Sequence, residues 1–279
     1  TKRVANYYRF NFTKDDNPSS HWSYLYSIIQ NCNLILMNID KLVIDEDDKA
    51  YRDDLKGEAL AIRGLALFDL TRIFGYPYLK DDGASLGVPI IEGLSTIDSK
   101  PTRNTVAQCY TKIIDDLTQS LSLLGEKFNK GKINKWGAMV LLSRVYLYKG
   151  ENANALKMAS DAIIGAEKNK YALWTNEDYP TAWGEDASAS KPGEVLFEIV
   201  NLTTDSPGKE SMGYLNSYDG YDDMCITCSF YQFLKEDPKD IRLKLLSFDK
   251  KYYAYVNKYQ PQREENIEDA NIPLIRLSE

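Results

Sequence analysis

From Trp22 onward, apolar residues recur every three or four positions. Leu25, Ile28, Ile29, Cys32, Ile35, Leu36 and Ile39 fall on one helical face. The charged run 45–49 ends that stripe. A second stripe, with Leu55, Ala59, Ile62, Ala66, Leu70 and Ile73, predicts a helix over residues 52–74. It also carries Gly57, Ala61 and Gly64, small enough to let a neighbouring helix approach closely, as a stacked helical hairpin requires. Gly75 is expected to close this helix in a left-handed cap, and Pro77 keeps it from restarting.

The 76–103 stretch, punctuated by Gly83, Gly87, Pro89, Gly93 and Pro101, reads as a long loop with a short extended piece at 88–91. Thr105-x-x-Gln108 then forms a capping box, and Val106, Tyr110, Ile113, Leu117, Leu121 and Leu124 continue a third helix. A fourth helix starts near Asn134, carries Trp136, Met139, Leu142 and Val145, and turns at Gly150. A fifth spans 152–166. Leu142-Ser143-x-x-Tyr146 with Gly150, Ala155 and Ala162 matches the tetratricopeptide pattern, giving one good repeat beside two degenerate ones.

Beyond Lys170 the period is lost. Residues 171–191 are aromatic and acidic, 195–200 read as a strand, and 201–223 return to loop. A helix is expected over 229–235, another after the turn at 238–242, and a strand within 252–259. The closing apolar segment 274–279 has nothing after it to pack on and reads as an interrupted core element. Residues 1–21 read as loop. The fold expected is therefore mostly α, with tetratricopeptide-like helical hairpins, an irregular loop-rich region and a few short strands. Residues 1–170 would form the scaffold, and 171–279 an irregular ligand-binding region packed on it as one structural unit.

Composition narrows the function. A chain of 279 residues buries roughly three quarters of its unfolded surface and needs no metal or disulfide staple. Its net charge of −7 gives no basic stripe for nucleic acid or for direct adsorption to an anionic membrane. No apolar run reaches the length of a membrane span. Cys32 and Cys109 fall on apolar helix positions, and Cys225-x-x-Cys228 lacks partner ligands for zinc, the sole histidine being His21 at a helix start. No metal, cofactor or catalytic residue is expected: triad, phosphate-loop and dinucleotide motifs are missing, and the acidic turn at 219–223 lacks calcium-loop spacing.

Tyrosine is unusually common, at 20 residues, and aromatics collect in the irregular segments. Trp174, Tyr179 and Trp183 share one loop with Glu177 and Asp178. Tyr214, Tyr218 and Tyr221 share another with Asn216, Asp219 and Asp222. Flat rings stack on sugar C–H faces, while carboxylates and amides bond paired hydroxyls, so these loops suit a carbohydrate ligand. The competing structural reading is that the rings plug the ends of the helical core.

Several motifs together resemble the SusD/RagB family. They are Trp22-x-x-x-Tyr26-x-x-Ile29-x-x-Cys32-Asn33, Gly57-Glu58-Ala59-x-x-x-Arg63-Gly64, Phe74-Gly75-Tyr76-Pro77 and Thr102-Arg103-x-Thr105 with Ile114-x-Asp116-Leu117. Asp240-x-Arg242, Lys258-Tyr259 and the closing Pro273-Leu274-Ile275-Arg276-Leu277-Ser278-Glu279 complete the series in order. The resemblance implies a surface-exposed, non-catalytic lipoprotein of the outer membrane, held there by a lipid anchor outside this chain. It would capture an oligosaccharide for a TonB-dependent transporter barrel, the chain being an internal portion of a longer protein. A peptide ligand, and a tetratricopeptide surface that holds a partner protein, are the alternatives. Family contacts tend to come from the stretch before the first helix and from the irregular region after the repeats. That makes Tyr8, Phe12, Trp174, Trp183, Tyr214, Tyr218, Tyr221 and Asp222 the candidate ligand residues.

Overall fold

The computed structural model describes residues 9, 19–96, 98–184, 193–202, 204–217, 219–221, 224–248, 253–259 and 270–279. They fall into two compact units, residues 18–170 with Glu279, and residues 1–17 with 171–278.

The first unit is helical: α1 (Ser19–Asn38), α2 (Lys49–Phe74), α3 (Val106–Leu123), α4 (Lys135–Lys149) and α5 (Asn152–Lys168), each packed on the next in sequence. Helix α1 begins ahead of the expected Trp22. Its apolar stripe is only partly used. Ile29, Cys32 and Ile39 are buried, but Ile28 and Ile35 stay exposed, because within this unit α1 lies at the edge of the stack with α2 as its main helical neighbour.

The small residues of α2 do face a neighbour. A Cβ on Gly57 would lie 2.9 Å from Leu124 Cγ, and one on Gly64 would lie 3.1 Å from Leu117 Cγ. The cap at the end of α2 differs from expectation. Gly75 is extended, with φ −105° and ψ 172°, not left-handed. Glycine is required there for space, since a Cβ would sit 2.7 Å from the Thr71 carbonyl oxygen. The 88–91 stretch forms no strand; the loop is tied instead by the isolated bridge Leu86↔Thr105.

Helix α3 opens with the expected capping box. The Gln108 N–H donates to Thr105 Oγ1 at 3.2 Å, and the Thr105 N–H donates to Gln108 Oε1 at 2.9 Å. Thr105→Ala removes one half of this exchange and should destabilise the helical unit by about 1 kcal/mol. A urea midpoint that does not move would show that the box contributes nothing. Helices α4 and α5 turn on Gly150, which takes the left-handed conformation at φ 85°. They then close tightly over one contact, where Gly165 of α5 lies against the ring of Trp136 on α4.

One polar network crosses this core. Arg63 of α2 donates from Nε and Nη2 to Asp116 of α3 at 2.8 and 2.7 Å, and from Nη1 to Asn33 of α1 at 2.8 Å. Asn33 in turn donates to the carbonyls of Ile91 and Gly93. Lys112 reaches Asp116 at 3.1 Å and Glu92 at 2.7 Å. Asp116 is fully buried. Burial works against the Arg63 charge, but Asp116 more than offsets it and holds the guanidinium protonated. Three helices and the 88–93 loop are therefore pinned in one register.

The second unit carries short elements between irregular stretches: β1 (Val195–Ile199), α6 (Met212–Asn216), α7 (Cys228–Lys235), β2 (Leu246–Phe248), β3 (Ala254–Val256) and β4 (Ile272–Arg276). Strand β1 pairs antiparallel with β4, Val195 opposite Arg276 and Ile199 opposite Ile272. The closing apolar segment is thus no orphan. It pairs with β1, and Ile275 and Leu277 are buried. Strand β2 pairs with β3, which is shorter than the alternation at 252–259 predicts. Residues 241–245 form a 3-10 turn in place of the expected helix, and α6 had no periodic signal.

Candidate functional site

In the second unit, Trp174, Tyr179 and Trp183 come together as one aromatic cluster. Their ring centroids lie 5.0 Å apart for Trp174–Trp183, 5.7 Å for Tyr179–Trp183 and 6.1 Å for Trp174–Tyr179, all edge-to-face. The segment folds on its own polar groups. Thr175 Oγ1 accepts from the Asp178 N–H at 3.1 Å, and the Tyr179 N–H donates to the Thr175 carbonyl at 2.9 Å. This turn brings Tyr179 back over Trp174. Trp183 is buried, whereas Trp174 and Tyr179 are half-exposed and can offer ring surface to a ligand.

Glu194, just before β1, holds the cluster in place. Its Oε2 accepts from the Trp174 N–H at 3.1 Å, and its Oε1 accepts from Arg276 Nη1 at 3.1 Å and from the Ser278 hydroxyl. The carboxylate is buried. Arg276, on β4, lies with its Cζ 4.9 Å from the Trp183 ring centroid and 5.8 Å from that of Trp174. Lys258 Nζ lies 4.6 Å from the Trp183 centroid. Beside the carboxylates expected from sequence among these rings, the structure sets cations against them. Glu194, Lys258 and Arg276 were missed as site residues, although Lys258 and Arg276 sit within the family-like motifs.

Tyr214 and Tyr221 also meet, at 4.9 Å between centroids. The Tyr221 N–H donates to the Tyr214 carbonyl at 3.1 Å, and Ser211 caps α6 by accepting from the Tyr214 N–H. Gly220 allows this loop to close, since a Cβ there would lie 1.9 Å from the Tyr214 oxygen. Tyr8, Phe12, Tyr218 and Asp222 lie outside the described residues.

The helical unit has a concavity that sequence reasoning did not single out. A groove of about 470 Å³ lies between α1 and the 91–101 loop, lined by Trp22, Tyr26, Gln30, Asn31, Ser95 and Ser99. Gln30 and Ser95 exchange hydrogen bonds at 2.9 and 3.1 Å, and the Tyr26 hydroxyl donates to the Pro89 carbonyl at 2.7 Å. Its signal in sequence was the i, i+4, i+8 series Trp22, Tyr26, Gln30.

Elsewhere the nucleophilic groups are quiet. Burial pushes the Cys32 thiol up to about 11 and raises that of Cys109, so both stay protonated near neutrality. Cys225 and Cys228 are exposed free thiols. Among the described residues no three metal-ligating side chains converge, and no helix is long and apolar enough to cross a membrane.

Comparison with known proteins adds an independent line. Residues 3–147 match the family described as "Starch-binding associating with outer membrane", the SusD-like group. A curated SusD-like protein of Bacteroides ovatus is 28% identical over 135 residues, 48% of this chain and 23% of its own length. A crystal structure from Bacteroides vulgatus is 81% identical with a TM-score of 0.94, covering all of this chain and 62% of its own. A SusD superfamily protein of Bacteroides thetaiotaomicron is 35% identical at TM-score 0.87, over 99% of this chain and 64% of its own. At the level of fold alone, a laminarin binding SusD-like protein matches at 19% identity and TM-score 0.73, over 94% of this chain and 64% of its own. The chain thus spans under two thirds of the length of each of these proteins.

Proposed function

The chain belongs to the SusD-like family of starch-binding, outer-membrane-associated proteins, and from that premise we propose that it is a non-catalytic, surface-exposed oligosaccharide receptor that passes its ligand to a TonB-dependent transporter barrel. The observation that carries this reading is the Trp174–Tyr179–Trp183 cluster. Trp183 forms the buried floor, and Trp174 and Tyr179 supply the half-exposed rings on which a pyranose would stack. Tyr214 and Tyr221 offer a second stacking pair within the same unit. The description of the matched family as starch-binding supports a glycan over a peptide ligand.

Calorimetry against a panel of oligosaccharides and peptides tests the reading, with Trp174→Ala and Tyr179→Ala alongside wild type. Losing a central aromatic anchor removes about 2 kcal/mol of binding, roughly a 30-fold fall in affinity. Both variants should lose affinity by that order while keeping a folded circular-dichroism spectrum. Glycan binding untouched in both would take the cluster out of the site. Peptide binding without any glycan binding would make the chain a peptide receptor.

A further inference from the structure

The charges around the aromatic cluster say more about its ligand. Arg276 is matched by Glu194 at 3.1 Å, and Arg242 grips Asp240 through Nε at 2.9 and 3.0 Å and through Nη2 at 2.5 Å. Lys258 is the exception. Among the described residues it has no carboxylate within ion-pair distance, and its only polar contact is the face of Trp183 at 4.6 Å. It is half-buried. Burial pushes the Lys258 ammonium below the usual lysine range, and the nearby charges of Arg276 and Arg242 push it the same way.

Burial and the two guanidinium groups work against this ammonium, and the face of the Trp183 ring offsets them only in part. The cluster adds further unmatched donors: the indole N–H groups of Trp174 and Trp183 are buried with no acceptor among the described residues. With Arg276 and Arg242 each matched by a carboxylate, Lys258 leaves the locus one unmatched positive charge, within a chain of net charge −7. Its complement is an anion with several acceptor oxygens.

Resting on the glycan-binding reading above, we propose that the Trp174–Tyr179–Trp183 site takes an acidic saccharide, whose ring-borne anionic group pairs with Lys258 while the sugar ring stacks on Trp174 and Tyr179. The shared chemistry is a compact oxyanion on a pyranose, whether a uronate carboxylate or a sulfate ester. A local positive charge within a negative surface then selects for the position of the anion. A bulk basic surface would not do so.

The test is calorimetry on paired oligosaccharides of equal length and linkage: neutral, uronate and sulfated. Wild type should prefer one acidic member over its neutral counterpart by about tenfold or more, with the preference shrinking as salt rises. Lys258→Met should erase that preference and Lys258→Arg should retain most of it, with melting temperatures confirming that both variants fold. The uronate and sulfated arms distinguish the two oxyanions. A best ligand that is neutral, or a preference for acid that survives Lys258→Met, would overturn the proposal and leave the receptor function standing. Absence of binding to every saccharide would remove both together.

Discussion

Asp116→Ala is expected to destabilise the helical unit by about 3–5 kcal/mol, the largest loss predicted for a single polar residue in this chain. Asp116 is fully buried and takes both remaining forks of Arg63, while Lys112 closes on it from 3.1 Å. Removing the carboxylate leaves a buried guanidinium with Asn33 as its only remaining bonded partner among the described residues. The loss should appear as a lower urea midpoint at nearly unchanged slope. Arg63→Met combined with Asp116→Leu removes both charges at once and should recover much of the loss, because no unmatched ion remains. A loss below about 1 kcal/mol for Asp116→Ala would mean that water or a rearranged Glu92 carboxylate replaces it.

The second large effect concerns the α4–α5 hairpin. Trp136 is 7% exposed, and its ring lies where a Cβ on Gly165 would be, 2.1 Å from Cζ3 and 2.2 Å from Cη2. Trp136→Ala empties that space and should cost about 3–5 kcal/mol. Gly165→Ala forces the two helices apart or tilts the ring, costing about 1–3 kcal/mol despite alanine's better helix propensity. The two changes share one space, so the double variant should lose clearly less than the sum of the single losses. Gly93→Ala is the control, since a Cβ there meets nothing within 4 Å. Thermal melts of the four variants decide the matter, and additive losses would separate the two residues energetically.

The helical half was legible because burial against one neighbour leaves a 3.6-residue period, and because local chemistry marks helix ends. The Thr105–Gln108 box and the Gly150 turn are of that kind, each set by residues close in sequence. What sequence did not show depends on register between distant segments. Gly75 looked like a left-handed cap because glycine commonly is one, yet its role here is to clear the Thr71 carbonyl and Val106. Arg63 and Asp116 stood in view as separate family-like positions, but nothing local pairs one basic residue with one of 41 acidic residues. The aromatic cluster was read from its own loop. Lys258 and Arg276 were not seen as its neighbours because they reach Trp183 from far along the chain, whereas Asp178 belongs to the turn of the loop itself. The groove at Trp22, Tyr26 and Gln30 was hidden for a related reason. The helical spacing that makes it also reads as a packing stripe.

The groove and the aromatic cluster make the central claim decidable in a single measurement, a crystal structure with the tightest-binding oligosaccharide. A sugar ring lying on Trp174 or Tyr179, with its substituents toward Lys258, is the result the account predicts. A ligand seated in the Trp22–Gln30 groove, with the Trp174 cluster unoccupied, would contradict it.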